Sequence, residues 1–240
     1  MIDKSSVKAI AFDFGGTLDS PFLHWAEIYI EMYARQLGLP IDRENFWDSY
    51  VYAERQMEAL QLVRPYHSLY DTQLFKTRLQ CESLIERGIL TDDDYHRCQL
   101  PQQAARLVTD YSAGYVQAAR PVLERLAESY QLLLVSNYYG NLETITTDLG
   151  IRPLFRSVTD STCVGIRKPD AAIWQLAFDR AGFTSSQMLV VGDSAKNDIL
   201  PALSLGCQVV QGVPASKELP ADVTGIRQIA DLLDLLLSNA

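Results

Sequence analysis

Two carboxylates and one amine stand where this chain could do chemistry. Asp13 closes the apolar run Ala9-Ile10-Ala11-Phe12 and is followed by Gly15-Gly16-Thr17. Asp193 closes a second run, Leu189-Val190-Val191-Gly192, with Ser194, Asn197 and Asp198 just beyond. Between them come Ser136-Asn137, after Leu132-Leu133-Leu134-Val135, and Lys168 in Gly165-Ile166-Arg167-Lys168-Pro169. A carboxylate at the end of a buried strand is costly unless a metal, a cation or hydrogen bonds compensate it. Asp13 and Asp193 offer the hard oxygen ligands that suit Mg²⁺. Thr17, Ser136 and Lys168 can hold phosphoryl oxygens while one Asp13 oxygen attacks phosphorus. The residue types point to metal-assisted phosphoryl transfer.

For these residues to meet, several strands must end at one edge of a sheet. Residues 7–12 predict a buried strand. After Pro121 helical and strand-like segments alternate: "QLLLVSN", "FRSVTD", "QMLVVGD" and "CQVVQG" follow amphipathic stretches, and "IRQIADLLDLLL" closes the chain. That alternation predicts an α/β fold, a doubly wound parallel (Rossmann-like) sheet. Loops at the carboxyl ends of its strands would line the ligand crevice. From about residue 22 to 115 the pattern is helical throughout. "FLHWAEIYIEMYARQLG" places Trp25, Ile28, Tyr29, Met32 and Leu37 at three- and four-residue spacings, with Gly38 as a stop. Thr91 with Asp94 suits a capping pair, and Pro101 is expected to break or kink its helix. The expected division is a core of residues 1–20 and 117–240 and an inserted all-helical cap of residues 21–116, hinged near 18–21 and 116–120.

The bulk numbers bound the alternatives. A chain of 240 residues, 48% hydrophobic, can bury a sizeable core. Its net charge of −9 repels a nucleic-acid backbone, so none is expected as a partner. Cys81, Cys98, Cys163 and Cys207 form no Cys-x-x-Cys pair and predict free thiols in a reducing compartment. No apolar segment suits export or a membrane span, so a cytoplasmic protein without a membrane partner is expected.

The four motifs, at 9–19, 132–137, 165–169 and 190–198, closely resemble those of the haloacid dehalogenase superfamily, mainly its phosphatases with a helical cap of the C1 type. The resemblance covers nearly the whole chain. It implies an Asp13 nucleophile that forms an aspartyl-phosphate, with Ser136 binding the transferring group and Lys168 balancing charge. Thr17 and Asn137 would complete the catalytic set. Asp13, Asp193 and the backbone carbonyl of Gly15 would bind Mg²⁺, Ser194 and Asn197 would support that site, and Asp198 would support it or position Lys168. The implied substrate is a small phosphorylated metabolite.

Gly15 departs from the family's phosphatases, which carry an Asp two residues past the nucleophile. That Asp protonates the leaving oxygen and then activates water, help typically worth about 10²–10⁴ in rate. Glycine keeps the carbonyl and loses the proton donor. Asp19 and His24 are the nearby candidates for a substitute, although a turn or cap role is the simpler reading of each. The family's dehalogenases lack the metal-binding Asp that survives here as Asp193, which argues against that chemistry. Its phosphonate-cleaving members use a cap lysine, and Lys76 is expected on a solvated helix face instead. The rival from another class is a weak or inactive phosphate-pocket protein with a binding or regulatory role. Substrate choice is expected in the cap, where "VRPYHSLY" sets Arg64, Tyr66 and His67 in a helix–helix loop, with His24 near the hinge.

Overall fold

The computed structural model describes residues 2–97 and 99–238. It contains two compact units, residues 24–112 and residues 1–23 with 113–240. The larger unit carries six strands: β1 (Ala9–Phe12), β2 (Gln131–Ser136), β3 (Phe155–Asp160), β4 (Met188–Gly192), β5 (Gln208–Gly212) and β6 (Thr224–Ile226). They form one parallel sheet in the order β3-β2-β1-β4-β5-β6. β1 and β4 are buried along their full lengths, as parallel strands covered on both faces must be. The strand β6 is an addition to the elements read from sequence.

Among the described residues the chain forms ten α-helices. α1 (Trp25–Glu31), α2 (Arg43–Ala59), α3 (Leu69–Glu86) and α4 (Asp92–Arg97) belong to the helical unit. α5 (Leu100–Ala127) crosses the unit boundary. α6 (Leu142–Asp148), α7 (Ser161–Val164), α8 (Ala172–Ala181), α9 (Leu200–Ser204) and α10 (Asp231–Leu237) alternate with the strands. α8 shows why the sheet is covered. Its Ile173, Trp174, Ala177 and Phe178 fall on one face and pack with Ala9, Ala11, Leu133, Val135, Met188 and Val190 in one buried cluster. Each large side chain buried there contributes about 1.5–3 kcal/mol.

Register delivers the candidate residues to one edge. Phe12 stands opposite Leu134 of β2 and Val191 of β4, and Asp13 N donates to Val191 O at 2.9 Å. The ends of β1, β2 and β4 therefore lie side by side. In this strand order the chain leaves β1 toward opposite edges of the sheet, which opens a crevice at the carboxyl ends.

Inside the helical unit, sequence expectation and structure diverge at Lys76. The helix face carrying it is buried: Thr72, Gln73, Lys76, Thr77, Gln80 and Ser83 all lie inside. Lys76 is only 5% exposed, its Nζ is 2.7 Å from Glu54 Oε1, and it lies over the Trp25 ring. Tertiary partners satisfy the neighbouring polar groups: Tyr29 Oη donates to Gln73, Tyr33 Oη donates to Gln80 at 3.0 Å, and Ser83 Oγ donates to Ser49 at 3.0 Å. The expected Thr91–Asp94 cap is present, with the Asp94 carboxylate accepting Thr91 N–H at 2.9 Å.

The stretch expected to be broken or kinked at Pro101 is two helices, α4 ending at Arg97 and α5 beginning at Leu100. α5 begins at Leu100, so Pro101 occupies the first turn, where a missing N–H costs nothing. The expected hinge at 116–120 falls within α5, which is helical through Pro121. Cys81, Cys163 and Cys207 are free thiols, and Cys98 lies outside the described residues. Among the described residues no helix is long and apolar enough to cross a membrane.

Candidate active site

Asp13 leaves β1 into a turn closed by Thr17 N–H and Leu18 N–H, which donate to Phe14 O at 3.1 and 2.9 Å. The turn depends on Gly16, whose φ of +87° disfavours any side chain. A Cβ there would also come within 2.9 Å of Asp193 Oδ1, so the glycine lets the two strand ends approach. Gly15 is not among the positive-φ glycines of the chain.

The buried Asp13 carboxylate is held on one side. Its Oδ1 accepts Ser136 Oγ–H at 2.8 Å and Lys168 Nζ–H at 2.6 Å. Its Oδ2 has the Thr17 hydroxyl at 3.4 Å. Thr17 Oγ1 also lies 3.4 Å from Asp193 Oδ1 and accepts Asp193 N–H at 3.1 Å, so one hydroxyl ties β1 to the loop after β4.

Lys168 is the cationic centre. Besides Asp13, its Nζ donates to Asp198 Oδ1 at 2.6 Å and to Val135 O at 3.2 Å. The Trp174 ring centroid lies 5.2 Å from Nζ, a cation–π contact. Burial alone pulls the ammonium pKa down, but Asp13 and Asp198 outweigh it and hold the value up at about 12. Lys168 keeps its proton at neutral pH.

Asn137, expected as a catalytic contact beside Ser136, turns to the backbone of Lys168 instead. Its Oδ1 accepts Lys168 N–H at 2.8 Å and its Nδ2 donates to Lys168 O at 2.9 Å. Ser194 Oγ accepts Asn197 N–H at 3.1 Å, and Ser194 N–H donates to Asp198 Oδ2 at 3.0 Å, which fixes Asp198 against Lys168.

Asp13, Asp193 and Asp198 each bring a carboxylate oxygen within 4.8 Å of the others. Burial, and then repulsion from Asp13 and Asp198, push Asp193 up to about 8. Asp198 rises to about 6 through burial and Asp13, with Lys168 acting against both. Three carboxylates thus share one ammonium. With all three ionised, the two surplus charges and the hard oxygens match a divalent cation such as Mg²⁺. Asp13 and Asp193 are the side chains that could hold it.

Two contributors escaped the sequence reading. Asp160, at the end of β3, accepts N–H bonds from Gly140 at 2.8 Å, Leu142 at 3.2 Å and Thr162 at 3.0 Å, and so pins the loop that follows Ser136 and Asn137. A carboxylate ending a strand was the available signal. Trp174, under Lys168, looks in sequence like any core aromatic of α8.

Four of the remaining candidates, His24, Arg64, Tyr66 and His67, belong to the helical unit. His24 caps α1, its Nδ1 accepting Ala26 N–H at 3.2 Å, and its ring packs on Trp47 and Tyr50. Arg64 N–H donates to His67 Nδ1 at 3.1 Å and His67 N–H to Arg64 O at 2.9 Å, forming a closed turn with Tyr66 exposed at its tip. Asp19 belongs to the sheet-bearing unit and is fully buried. Burial drives its carboxyl well above the ordinary range, and Asp13 and Asp193 add to the rise against the hydrogen bond from Gly16.

The chain is 24% identical over 221 residues to the phosphoglycolate phosphatase of Yersinia pestis, covering 88% of this chain and 82% of that one. It shares its fold with the HAD-hydrolase YfnB of Bacillus subtilis bound to magnesium, at a TM-score of 0.62, 18% identity, and 96% and 98% coverage. The L-2-haloacid dehalogenase of Xanthobacter autotrophicus is similar at a TM-score of 0.57, 15% identity, and 98% and 100% coverage. A family model for haloacid dehalogenase-like hydrolases matches residues 7–206, a span that contains all four strand-end motifs, and the chain belongs to that family.

Proposed function

We propose that this chain is a Mg²⁺-dependent phosphatase of a small phosphorylated metabolite, working through an aspartyl-phosphate on Asp13. The observation that carries the reading is Asp13 itself, a strand-end carboxylate gripped at one oxygen by Ser136 and Lys168, with Asp193 and Asp198 alongside. Similarity to a phosphoglycolate phosphatase supports the substrate class. Mg²⁺, held by Asp13, Asp193 and the Gly15 carbonyl, would supply Lewis-acid stabilisation of phosphoryl charge.

In the first step an Asp13 oxygen attacks phosphorus. The bond from phosphorus to the ester oxygen breaks, and its electron pair leaves with that oxygen. Ser136 and Lys168 orient the nucleophile and offset the charge that gathers on the phosphoryl oxygens. In the second step water attacks phosphorus, releasing phosphate and restoring the Asp13 carboxylate. Asp13 and Asp198 hold the Lys168 proton in the resting site, so in this reading Lys168 stabilises charge and is not the acid. Gly15 supplies no proton either, so the leaving group's own basicity governs the first step. The helical unit of residues 24–112 serves in this reading as the cap, and His24, Arg64, Tyr66 and His67 as its contacts to the leaving group.

The test is phosphate release from a panel of phosphorylated metabolites, with Mg²⁺ and with chelator. Wild type should release phosphate only with Mg²⁺, and Asp13→Asn and Asp193→Asn should release none. Turnover that persists in chelator or in Asp13→Asn overturns the assignment. Gly15 also favours a second reading, a phosphate-binding protein with negligible turnover. It would bind members of the panel and hydrolyse none.

A further inference from the structure

Asp19 is an expensive residue for a turn. It is fully buried, its Oδ1 accepts Gly16 N–H at 2.7 Å, and its equally buried Oδ2 has no hydrogen-bond partner among the described residues. Leaving a buried polar atom unpaired carries its full desolvation penalty. The bond to Gly16 therefore needs a reason.

That reason lies on the other side of the peptide. The Gly15–Gly16 peptide is trans and planar, so its C=O and N–H point in opposite directions. Fixing the Gly16 N–H toward Asp19 fixes the Gly15 carbonyl oxygen away from it. Elsewhere in a chain, side chains on both neighbours restrict rotation of a peptide plane. Here both neighbours are glycines, and the plane turns at little steric cost. We propose that Asp19 is a positioning residue that aims the Gly15 carbonyl oxygen into the Mg²⁺ site by holding the Gly15–Gly16 peptide plane. The inference rests on the metal site of the proposed function and adds the group that orients one of its ligands. Removing a partner that orients a metal ligand typically costs about 10–100-fold in affinity.

The test is calorimetric titration of Mg²⁺ alone into metal-free wild type, Asp19→Asn and Asp19→Ala, each with a thermal melt to establish folding at the titration temperature. Asparagine keeps an acceptor for Gly16 N–H and should retain the wild-type affinity. Alanine removes it and should weaken Mg²⁺ binding by about 10–100-fold. Equal affinity in Asp19→Ala and wild type overturns the proposal. So does an Asp19→Asn variant that folds yet binds Mg²⁺ much more weakly, because charge rather than peptide orientation would then be the cause. If wild type itself takes up no Mg²⁺, the metal site falls and this proposal with it, a result distinct from either failure above.

Discussion

Asn137 holds Lys168 by both faces of its backbone, accepting the N–H at 2.8 Å and donating to the C=O at 2.9 Å. The Lys168 side chain spans from that anchor to Asp13 and Asp198, each at 2.6 Å from Nζ. A side chain whose two hydrogen bonds go to backbone thereby sets where the cation sits. Two hydrogen bonds of ordinary net strength are worth about 1–3 kcal/mol. Asn137→Ala should therefore lower kcat by about 10- to 100-fold, with KM and Mg²⁺ affinity little changed. Steady-state kinetics beside Lys168→Ala, which should lose more, checks this.

Position 15 sets the second expectation. Gly15 keeps a backbone carbonyl but has no side chain to move a proton. Gly15→Asp should raise hydrolysis of alkyl phosphates by up to about 10²–10⁴, the usual worth of acid–base help. Wild type should favour acyl and activated aryl phosphates, whose leaving groups depart without a proton. Equal wild-type rates across leaving groups, with no gain in Gly15→Asp at unchanged Mg²⁺ affinity, would place the acid elsewhere.

Gly16 should tolerate nothing larger. Alanine there meets the Asp193 carboxylate at 2.9–3.0 Å in a backbone conformation of φ +87°. Gly16→Ala should cost more than about 1 kcal/mol of stability, the penalty for a residue whose native conformation is incompatible. It should also weaken Mg²⁺ binding by displacing Asp193. Denaturant melts and Mg²⁺ titration measure the two effects separately.

Burial raises the carboxyl groups of Asp19, Asp160, Asp193 and Asp198 in the metal-free protein. A raised folded-state pKa means the native state holds protons that the unfolded chain has released. The stability these groups contribute is complete below about pH 4. It falls as pH rises through about 6 for Asp198 and about 8 for Asp193. In chelator, Tm should therefore decline from pH 5 to pH 8. Mg²⁺ competes with those protons, so its stabilising effect should grow over the same interval. Melts at three pH values, with chelator and with Mg²⁺, give both slopes.

Much of the site was legible because its residues follow apolar runs. Asp13, Ser136 and Asp193 each end or follow a strand whose hydrophobicity is continuous, and parallel sheets gather such ends on one edge. What stayed hidden depends on tertiary partners. Lys76 sits on a helix with little amphipathic pattern, where burial is satisfied by Glu54 and Trp25 rather than by apolar neighbours. Asn137 adjoins Ser136 in sequence, yet its side chain bonds to the backbone at residue 168, which no local pattern encodes. Pro101, by contrast, was legible as a break: α4 ends at Arg97, and Pro101 sits in the first turn of α5, where proline is tolerated.

The central claim is that Asp13 takes the phosphoryl group. Without a carboxylate at position 15 to activate water, the phosphorylated intermediate should decay slowly enough to trap. The direct measurement is incubation with Mg²⁺ and an acyl phosphate, acid quenching, and mass spectrometry of the peptide containing residue 13. We expect the mass of one phosphoryl group on Asp13, lost when the intermediate is chased with water and absent from Asp13→Asn. Phosphate release by wild type with Asp13 unmodified, and at an unchanged rate in Asp13→Asn, would contradict the account.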